Sequence, residues 1–501
     1  MEIFRKRTLW LLFALSTLAI LVMGYHPGIE DDGVYLSAVK SDLNPSLYPH
    51  DAEFFRVQLQ ATLFDKWVAD SIRLTHMPVP TAEFLLQFGT IALLLFACWS
   101  IARSLFADEL VQWGGVAMVA AMLTLPVAGT ALYLADQHLH PRNLSTGIIL
   151  LAVSRILSDK HWQAVPLLLL GVVLHPIMAV LGISFCVFLT VATLEPVQVW
   201  LRSLRDSLAA AVPLGWIFER PTPIWHKALE TRSYVFLYRW TWYEWLGALA
   251  PLLLFWLLSR IAEKRGGTKL ARFAMAVFAY GVFQQIAAMV ILASPSLVRI
   301  TPMQPMRYLH LIYFFMTLIG GCLLAKYVVR SSIWRWAAYL VIINAGMFAT
   351  QRALFAGSAH LELPGVRTGN PWLQAFAWIR LNTPVDAYFV MDPNYLAAPG
   401  EDYHSFRALA ERSQMADAIK DTAVVTQVPE LGPDWERQVN AQAGWAHFKL
   451  ADFERLKSDF GVNWALVSYP APAGLECRWH NDSLSVCQIP NSQSPDSLMG
   501  N

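Results

Sequence analysis

The sequence predicts an α-helical polytopic membrane domain followed by a small soluble α/β domain. Hydrophobic residues make up 55% of the 501 residues and charged residues only 15%, a composition too apolar for an ordinary soluble protein. Apolar runs of about 20 residues, the length that crosses a hydrocarbon core about 30 Å thick, recur as far as residue 353. After Arg352 the composition changes to mixed charges, prolines and loops. We therefore place the membrane domain at 1–355 and the soluble domain at 356–501.

Seven apolar runs are long enough to span a membrane, and they are 8–24, 84–104, 112–134, 244–260, 270–293, 308–329 and 334–353. The apolar segments 144–158 and 204–218 are short, and 163–194 is too long for one untilted span. His175 and Pro176 divide that long segment, because proline disfavours a helical conformation in the residue before it. Counting the two short segments and both halves of the long one brings the total to eleven spans.

The distribution of Lys and Arg predicts the orientation of the chain. With eleven spans, nearly every basic cluster of the short loops falls on the side of the N-terminus, which identifies that side as cytoplasmic. Merging 163–194 into one span would instead place Arg202 and Arg205 outside. The soluble domain is then extracytoplasmic. Because the chain shows no retention signal for the endoplasmic reticulum, we expect a prokaryotic plasma (inner) membrane and a periplasmic domain.

The soluble domain alternates between helical and extended periodicity. PWLQAFAWIRLN and ADFERLKSDF are amphipathic, whereas AYFVMD and NWALVSY are apolar strand candidates. Cys477 and Cys487 flank the short segment RWHNDSLSV. In an oxidising compartment these two cysteines would close a hairpin as a disulfide, and the alternative is two free thiols.

Three consecutive acids, Glu30, Asp31 and Asp32, follow the first span in the segment HPGIEDDGVYL. They open a long first outer loop, 25–80. Adjacent carboxylates repel one another, so they are stabilised by a divalent cation or a basic group. The alternative is a solvated Asp-Asp-Gly turn.

An amphipathic helix is predicted later in the same loop, at 51–75. Its sequence places Phe54, Leu59, Leu63 and Trp67 near one face. This pattern is typical of a helix that lies in the membrane interface, and such a loop could cover a cavity.

The second outer loop, ADQHLHPRN, supplies Asp136, His138, His140 and Arg142. Alternate residues of an extended segment point the same way, so this loop could ligate a metal or position a phosphate beside the arginine. The alternative is a set of interfacial histidines that cap a helix.

Three more polar residues, His175, Arg299 and Arg307, are predicted on the same outer face. An arginine there runs against the positive-inside bias, and a guanidinium can hold two oxygens of an anionic lipid phosphate. The arginines could instead extend to the interface from the ends of spans.

The arrangement resembles the GT-C glycosyltransferases, and it is most similar to bacterial members of that superfamily. The shared features are one span, a long first outer loop that opens with acids, an acidic residue in the second outer loop, about eleven spans and an extracytoplasmic C-terminal domain. The chain departs from the family in lacking a WWDYG-type motif and in carrying histidines where a second acidic pair is expected.

The resemblance implies a catalytic base or metal ligand among the first-loop acids, with Asp31 or Asp32 before Glu30. It also implies a sugar donor carried on a polyprenyl phosphate, and a divalent cation, Mg or Mn, held by Asp31, Asp32 and Asp136. The segment FRALAERSQMADAIKD, with Arg407, Arg412 and Lys420, resembles a recurring segment of the bacterial members. That segment could hold an anionic or sugar ligand, or it could be a solvated helix face.

Three functions are compatible with these features. The first is a membrane glycosyltransferase at the extracytoplasmic face, acting on an unidentified glycan, lipid or protein acceptor. The second is a transporter or flippase, although polar residues such as Gln284 and Gln285 are rare inside the spans. The third is a non-catalytic assembly or sensor protein. The 38 basic and 37 acidic residues balance, so the chain lacks the basic excess that nucleic-acid binding requires.

Overall fold

The structure is a computed structural model that describes residues 2–56, 60, 62–193 and 221–491. The chain forms two compact units. The first, which we call the membrane unit, comprises Met1–Tyr25, Ala82–Thr222 and Arg232–Gln351. The second, which we call the α/β unit, comprises His26–Thr81, Pro223–Thr231 and Arg352–Asn501.

The helices of the described residues are numbered in chain order. They are α1 (Glu2–Met23), α2 (Asp32–Leu43), α3 (Glu53–Arg56), α4 (Phe64–Thr75), α5 (Val79–Leu105), α6 (Glu109–Ala121), α7 (Pro141–Leu157), α8 (His161–Leu174), α9 (Pro176–Thr193), α10 (Pro223–Glu230), α11 (Trp242–Lys264), α12 (Thr268–Ala293), α13 (Leu309–Leu324), α14 (Ile333–Leu354), α15 (Pro371–Asn382), α16 (Phe406–Ala410), α17 (Asp421–Gln427), α18 (Gly432–Ala441) and α19 (Leu450–Phe460). The strands are β1 (Pro126–Val127), β2 (Leu132–Tyr133), β3 (Tyr388–Val390), β4 (Ser413–Gln414), β5 (Trp464–Ser468), β6 (Glu476–His480) and β7 (Leu484–Gln488).

Five helical segments of the described residues are long and apolar enough to cross a membrane, and they are Lys6–Met23, Val79–Leu105, Trp242–Lys264, Thr268–Ala293 and Pro305–Val329. Two shorter apolar helices, α8 and α9, meet at His175 and Pro176, as the proline predicts. The protein is therefore a multi-pass membrane protein. The predicted count of eleven spans is not confirmed, and the predicted span 204–218 lies outside the described residues.

The predicted span 112–134 is wrong in its second half. Helix α6 ends at Ala121, and residues 126–133 form a short antiparallel hairpin of β1 and β2. Pro126 disfavours helix in the residue before it, and Gly129 adopts a positive φ of 61° in the turn. Hydropathy alone did not reveal this break, because the residues on either side of it are apolar.

Helices α6 and α13 approach each other closely at glycines. A Cβ added at Gly321 would lie 2.5 Å from Cβ of Met118 and 2.8 Å from the carbonyl oxygen of Gly114. Small residues at such a crossing let the two backbones pack directly against each other. The adjacent Gly320 has no atom within 4 Å of an added Cβ.

We expect Gly321→Leu to lower the stability of the membrane unit by about 1–3 kcal/mol, because the larger side chain must force the two helices apart. Gly320→Leu is the matched control, and it should unfold near the wild-type temperature. Thermal unfolding of the full-length protein in detergent measures both. Equal losses in the two variants would contradict the close helix contact.

The α/β unit contains a five-stranded mixed sheet in the order β4-β3-β5-β7-β6. Strand β3 pairs in parallel with β4 and β5, whereas β7 pairs antiparallel with β5 and β6. The four segments predicted by periodicity form α15, β3, α19 and β5. The prediction of a small α/β region near the C-terminus is therefore confirmed.

Helices cover both faces of this sheet. Leu466 of β5 packs in a buried cluster with Ile379 of α15, while the next residue, Val467, packs in a second cluster with Leu456 of α19. This alternation follows from the two-residue period of a strand. Cys477 of β6 and Cys487 of β7 are paired across the two strands and are joined by a disulfide.

The first outer loop folds within the α/β unit. Its predicted helix over 51–75 is seen as α3 and α4, and Leu59 lies outside the described residues. Phe54 is buried in a cluster with Trp435 of α18, so it does not share the exposed face of Leu63 and Trp67, whose side chains are 53% and 44% exposed. The predicted interfacial face is therefore shorter than the pattern indicated.

Candidate functional site

The three acids after the first span have different surroundings. Asp32 begins α2 and is buried, and its Oδ2 accepts a hydrogen bond of 2.6 Å from the backbone N–H of Gly28. Glu30 and Asp31 keep 47% and 41% of their side chains exposed, and both pair with the ammonium of Lys420. The triplet is therefore divided into one buried acid and two acids that share a lysine.

Lys420 is fixed by the turn that precedes α17. Oδ1 of Asp417 accepts the backbone N–H groups of Ile419 and Lys420 at 2.8 and 2.5 Å. Burial lowers the pKa of Lys420, but the charges of Asp31 and Glu30 outweigh it and raise that pKa above its ordinary value. Burial, with the charge of nearby Asp421, raises the pKa of Asp417 to about 7.

Arg407 is buried between two aspartates. Its Nε donates to Oδ2 of Asp51 at 2.5 Å, and its two Nη atoms donate to the carboxylate of Asp421 at 2.7 and 2.9 Å. These contacts join the first outer loop to the C-terminal segment inside the α/β unit. They favour a structural role for Arg407 over the predicted ligand-binding role.

Arg412 is also buried and directed toward the backbone. Its Nη2 donates to the carbonyl oxygens of Arg380 and Thr383 at 2.9 and 2.7 Å, and its Nε donates to the Thr383 hydroxyl at 3.0 Å. Burial lowers the pKa of the guanidinium. Like Arg407, it therefore holds the fold through internal hydrogen bonds.

A buried histidine–glutamate group lies elsewhere in the α/β unit. Glu362 accepts from His404 Nε2 at 3.1 Å and from His26 Nδ1 at 3.2 Å. His404 Nδ1 also lies 2.7 Å from the carbonyl oxygen of Glu401. Both ring nitrogens of His404 therefore face acceptors, which requires the doubly protonated imidazolium.

The pKa values of this group follow from its contacts. Burial would raise the pKa of Glu362, but His404 and His26 outweigh it and lower that pKa to about 2. Burial would lower the pKa of His404, but Glu362 outweighs it and raises that pKa to about 9. Sequence patterns gave no sign of this group, because Glu362 lies 336 residues from His26 in the chain.

Asp136 of the membrane unit is neutralised within its own loop. Its Oδ1 accepts from Nη2 of Arg142 at 2.6 Å. Burial would raise the pKa of Asp136, but Arg142 and the nearby histidines outweigh it and hold that pKa well below its ordinary value. His140 caps α7, since its Nδ1 accepts the backbone N–H of Arg142 at 2.9 Å. His140 therefore makes the helix-capping contact that the sequence left as an alternative.

Basic side chains surround this loop, and we call the group of His138, His140, Arg142, His175, Arg307 and His310 the basic cluster. The ring of His140 lies 5.7 Å from that of His138 and 6.2 Å from that of His175. Arg142 and Arg307 both lie close enough to His175 and His310 for their charges to interact with the two imidazole rings. His310 was missed by the sequence analysis, although a histidine within an apolar span is itself a functional signal.

Three helices of the membrane unit begin at the basic cluster. His140 is the N-cap of α7, His175 directly precedes α9, and Arg307 lies two residues before α13. Helix N-termini carry partial positive charge, which favours an anion. The first residues of α7 and α9 are prolines, and the rings of His140 and His175 accept backbone N–H groups of the first turns, those of Arg142 and Met178. Side chains of the cluster, and not the helix ends, therefore offer the N–H donors. Arg299 lies in the preceding short helix, Pro295–Met303.

His138 is the least engaged member of the basic cluster. Its side chain is 2% exposed, and among the described residues neither ring nitrogen has a hydrogen-bond partner. A buried polar atom without a partner is costly. The imidazole is therefore suited to donate to a ligand that enters the cluster.

The acids predicted to hold a divalent cation have other partners in the structure. Asp31 pairs with Lys420, Asp32 accepts the N–H of Gly28, and Asp136 pairs with Arg142. Within the described ranges, no group of three or more His, Cys, Asp or Glu side chains is arranged to hold a metal ion. The surroundings of these acids therefore do not fit the metal that the sequence resemblance implied.

Comparisons with known proteins give limited similarity. No family model matches the chain, and no curated protein matches it. The Archaeoglobus fulgidus oligosaccharyltransferase in complex with Zn and sulfate is 10% identical over 91% of this chain and 68% of that chain, with a TM-score of 0.39. The archaeal oligosaccharyltransferase AglB from Archaeoglobus fulgidus, in complex with an inhibitory peptide and a dolichol-phosphate, is 11% identical over 92% of this chain and 69% of that chain, with a TM-score of 0.34. At TM-scores below 0.5 and identities near 10%, this likeness carries no inference about fold or chemistry.

Proposed function

We propose that the protein is a membrane glycosyltransferase whose donor is a sugar carried on a polyprenyl phosphate. The observation that supports this proposal is the basic cluster, where two arginines and four histidines lie together and Arg142 pairs with a single aspartate, Asp136. A phosphate group matches such a site in charge and in its need for several N–H donors. Because the cluster belongs to the membrane unit, a phosphate attached to a lipid chain is the natural form of the ligand.

The proposed reaction transfers the sugar to an acceptor hydroxyl or amide. The bond between the anomeric carbon and the phosphate oxygen breaks, and a bond from the acceptor to the anomeric carbon forms. The acceptor proton goes to a carboxylate, and the polyprenyl phosphate leaves as an anion. Asp31 is the preferred base, because its carboxylate is partly exposed whereas that of Asp32 is buried. Glu30 is also partly exposed, but the resemblance to GT-C glycosyltransferases points to an aspartate before it.

The proposal is tested on full-length protein in membranes with a panel of polyprenyl-phosphate sugars. We expect Asp31→Asn to lower transfer at least about 100-fold while polyprenyl phosphate still binds, since a general base contributes 100-fold or more. Arg307→Met should weaken binding of polyprenyl phosphate about tenfold or more, because it removes a charge-assisted hydrogen bond.

Two controls match these variants. Asp70→Asn removes an acid that is 71% exposed in the same unit as Asp31, and Arg260→Met removes an arginine that is 57% exposed. Both should behave as wild type. Normal transfer by Asp31→Asn and Asp32→Asn, tested separately, would eliminate the catalytic assignment and favour an assembly or sensor protein. Lipid-phosphate binding with movement across the bilayer but no transfer would favour a flippase.

A further inference from the structure

Two acids of the first outer loop share one internal cation. The ammonium of Lys420 donates to Oε2 of Glu30 and, at 3.1 Å, to Oδ1 of Asp31. These residues lie about 390 positions apart in the chain, and both ends belong to the α/β unit. The lysine side chain is only 18% exposed, so its charge is held at the two carboxylates rather than in solvent.

Backbone contacts fix both sides of this arrangement. The N–H of Glu30 donates to the carbonyl oxygen of Tyr403 at 3.1 Å, and Ile29 forms a β-bridge with His404. Glu30 itself has a positive φ of 51°, a conformation that a non-glycine residue adopts when its surroundings impose it. On the other side, Asp417 holds the backbone of Lys420. The lysine and the acids are therefore positioned before any ligand binds.

An ammonium and a divalent cation compete for the same oxygens. A Mg or Mn ion is held by oxygen ligands, often only one or two carboxylates completed by water. Lys420 directs N–H donors at those oxygens, offers no acceptor to a metal, and places a positive charge where the ion would sit. Its removal would leave two adjacent carboxylates with no counter-charge from this lysine.

We propose that Lys420 takes the place of a divalent cation at the Glu30–Asp31 pair, so that this acidic segment carries no metal. Lys420 is then a positioning residue that holds the Asp31 carboxylate in its orientation. Its relevance to catalysis rests on the proposed function, but the exclusion of metal does not, because metal binding is measured without any transfer reaction.

The test is a titration of the full-length protein in detergent with Mn²⁺, followed by electron paramagnetic resonance of the free ion. We expect the wild-type protein and the double variant Glu30→Gln/Asp31→Asn to bind the same amount of Mn²⁺. We expect Lys420→Ala to gain a site at least about tenfold tighter than any in the wild type, because two carboxylates become available to the ion. This gain should disappear when Asp31→Asn is added to Lys420→Ala.

Lys40→Ala is the matched control. Lys40 is another buried lysine of the α/β unit, and it donates to Glu411 and to the carbonyl oxygen of Ala408, both at 2.7 Å. Its loss exposes one carboxylate, not two, so we expect no new Mn²⁺ site. Lys420→Gln, which keeps hydrogen-bond donors but removes the charge, serves as a second variant if Lys420→Ala is unfolded by circular dichroism. It should also gain Mn²⁺ affinity over the wild type.

Two results would overturn the proposal. One is wild-type Mn²⁺ binding that is lost in Glu30→Gln/Asp31→Asn, and the other is a folded Lys420 variant with no gain in Mn²⁺ affinity. A failure of the proposed function gives a different result. In that case no transfer is seen under any condition, while the Lys420 variants still gain Mn²⁺ affinity.

Discussion

Replacing Arg407 with methionine is expected to lower the free energy of unfolding of the α/β unit by roughly 3–5 kcal/mol. The guanidinium forms three hydrogen bonds to Asp51 and Asp421, and all three side chains are buried. Without the arginine, two carboxylates remain in a low-dielectric interior with no counter-charge from this residue. Methionine keeps most of the apolar volume of the arginine side chain. The lost stability therefore reflects the uncompensated carboxylates and not a cavity.

Hydrogen exchange of peptides that cover α16 and α17 provides the measurement, together with thermal unfolding of the full-length protein in detergent. Arg380→Met is the control, because Arg380 is 39% exposed and lies 3.7 Å from its carboxylate partner, Glu411. The triple variant with Asp51→Asn and Asp421→Asn should recover part of the loss, since it removes the uncompensated charges. Protection of α16 and α17 unchanged by Arg407→Met would contradict the structural role.

Local patterns in the sequence were sufficient for many individual elements. The His175–Pro176 dipeptide marks the boundary between α8 and α9, because the steric effect of proline acts on the adjacent residue. The alternation of periodicities that predicts α15 and β5 is equally local. His140 at the start of α7 was weighed as a helix cap, and capping involves only the first turn.

Contacts between residues far apart in the sequence could not be predicted from such local patterns. The acids at the start of the first outer loop were singled out, but their partner, Lys420, comes from a segment about 390 residues later. The ligand-binding prediction for Arg407 rests on the resemblance of its segment to a recurring segment of the bacterial members, and only the fold shows that Asp51 and Asp421 pair with its guanidinium. A basic residue in a polar segment looks the same in sequence whether its partner is a distant carboxylate or a substrate.

The pH dependence of the α/β unit follows from groups that the sequence did not reveal. The pKa of Glu362 in the folded protein is about 2, below its ordinary value of 4.5. Glu362 therefore stabilises the fold fully above pH 4.5, and this contribution is lost as the pH falls through about 2. His404, with a pKa of about 9, stabilises the fold below its ordinary pKa of 6.5, and this contribution is lost as the pH rises through about 9. Their ion pair therefore contributes fully between pH 4.5 and pH 6.5.

Glu401 lowers the stability of the folded protein as the pH rises. Replacing it with glutamine is therefore expected to stabilise the protein at pH 8. Burial raises its pKa from 4.5 to about 8. In the unfolded chain the carboxyl loses its proton near pH 4.5, whereas the folded protein must keep that proton or bury a charge. Stability linked to Glu401 is therefore present below pH 4.5 and falls by about 1.4 kcal/mol per pH unit as the pH rises toward 8.

Glu401→Gln should remove this decline, which amounts to a gain on the order of 4 kcal/mol over wild type at pH 8 and little difference at pH 5. Unfolding temperatures of the two proteins, measured in detergent between those pH values, give the comparison. Glu476→Gln is the control, because its carboxylate is 56% exposed and pays no burial cost. The His404 contribution is still lost above pH 6.5 in both proteins, so a residual decline in the variant is expected. Parallel curves for wild type and Glu401→Gln would show instead that the buried carboxyl is stabilised in its charged form.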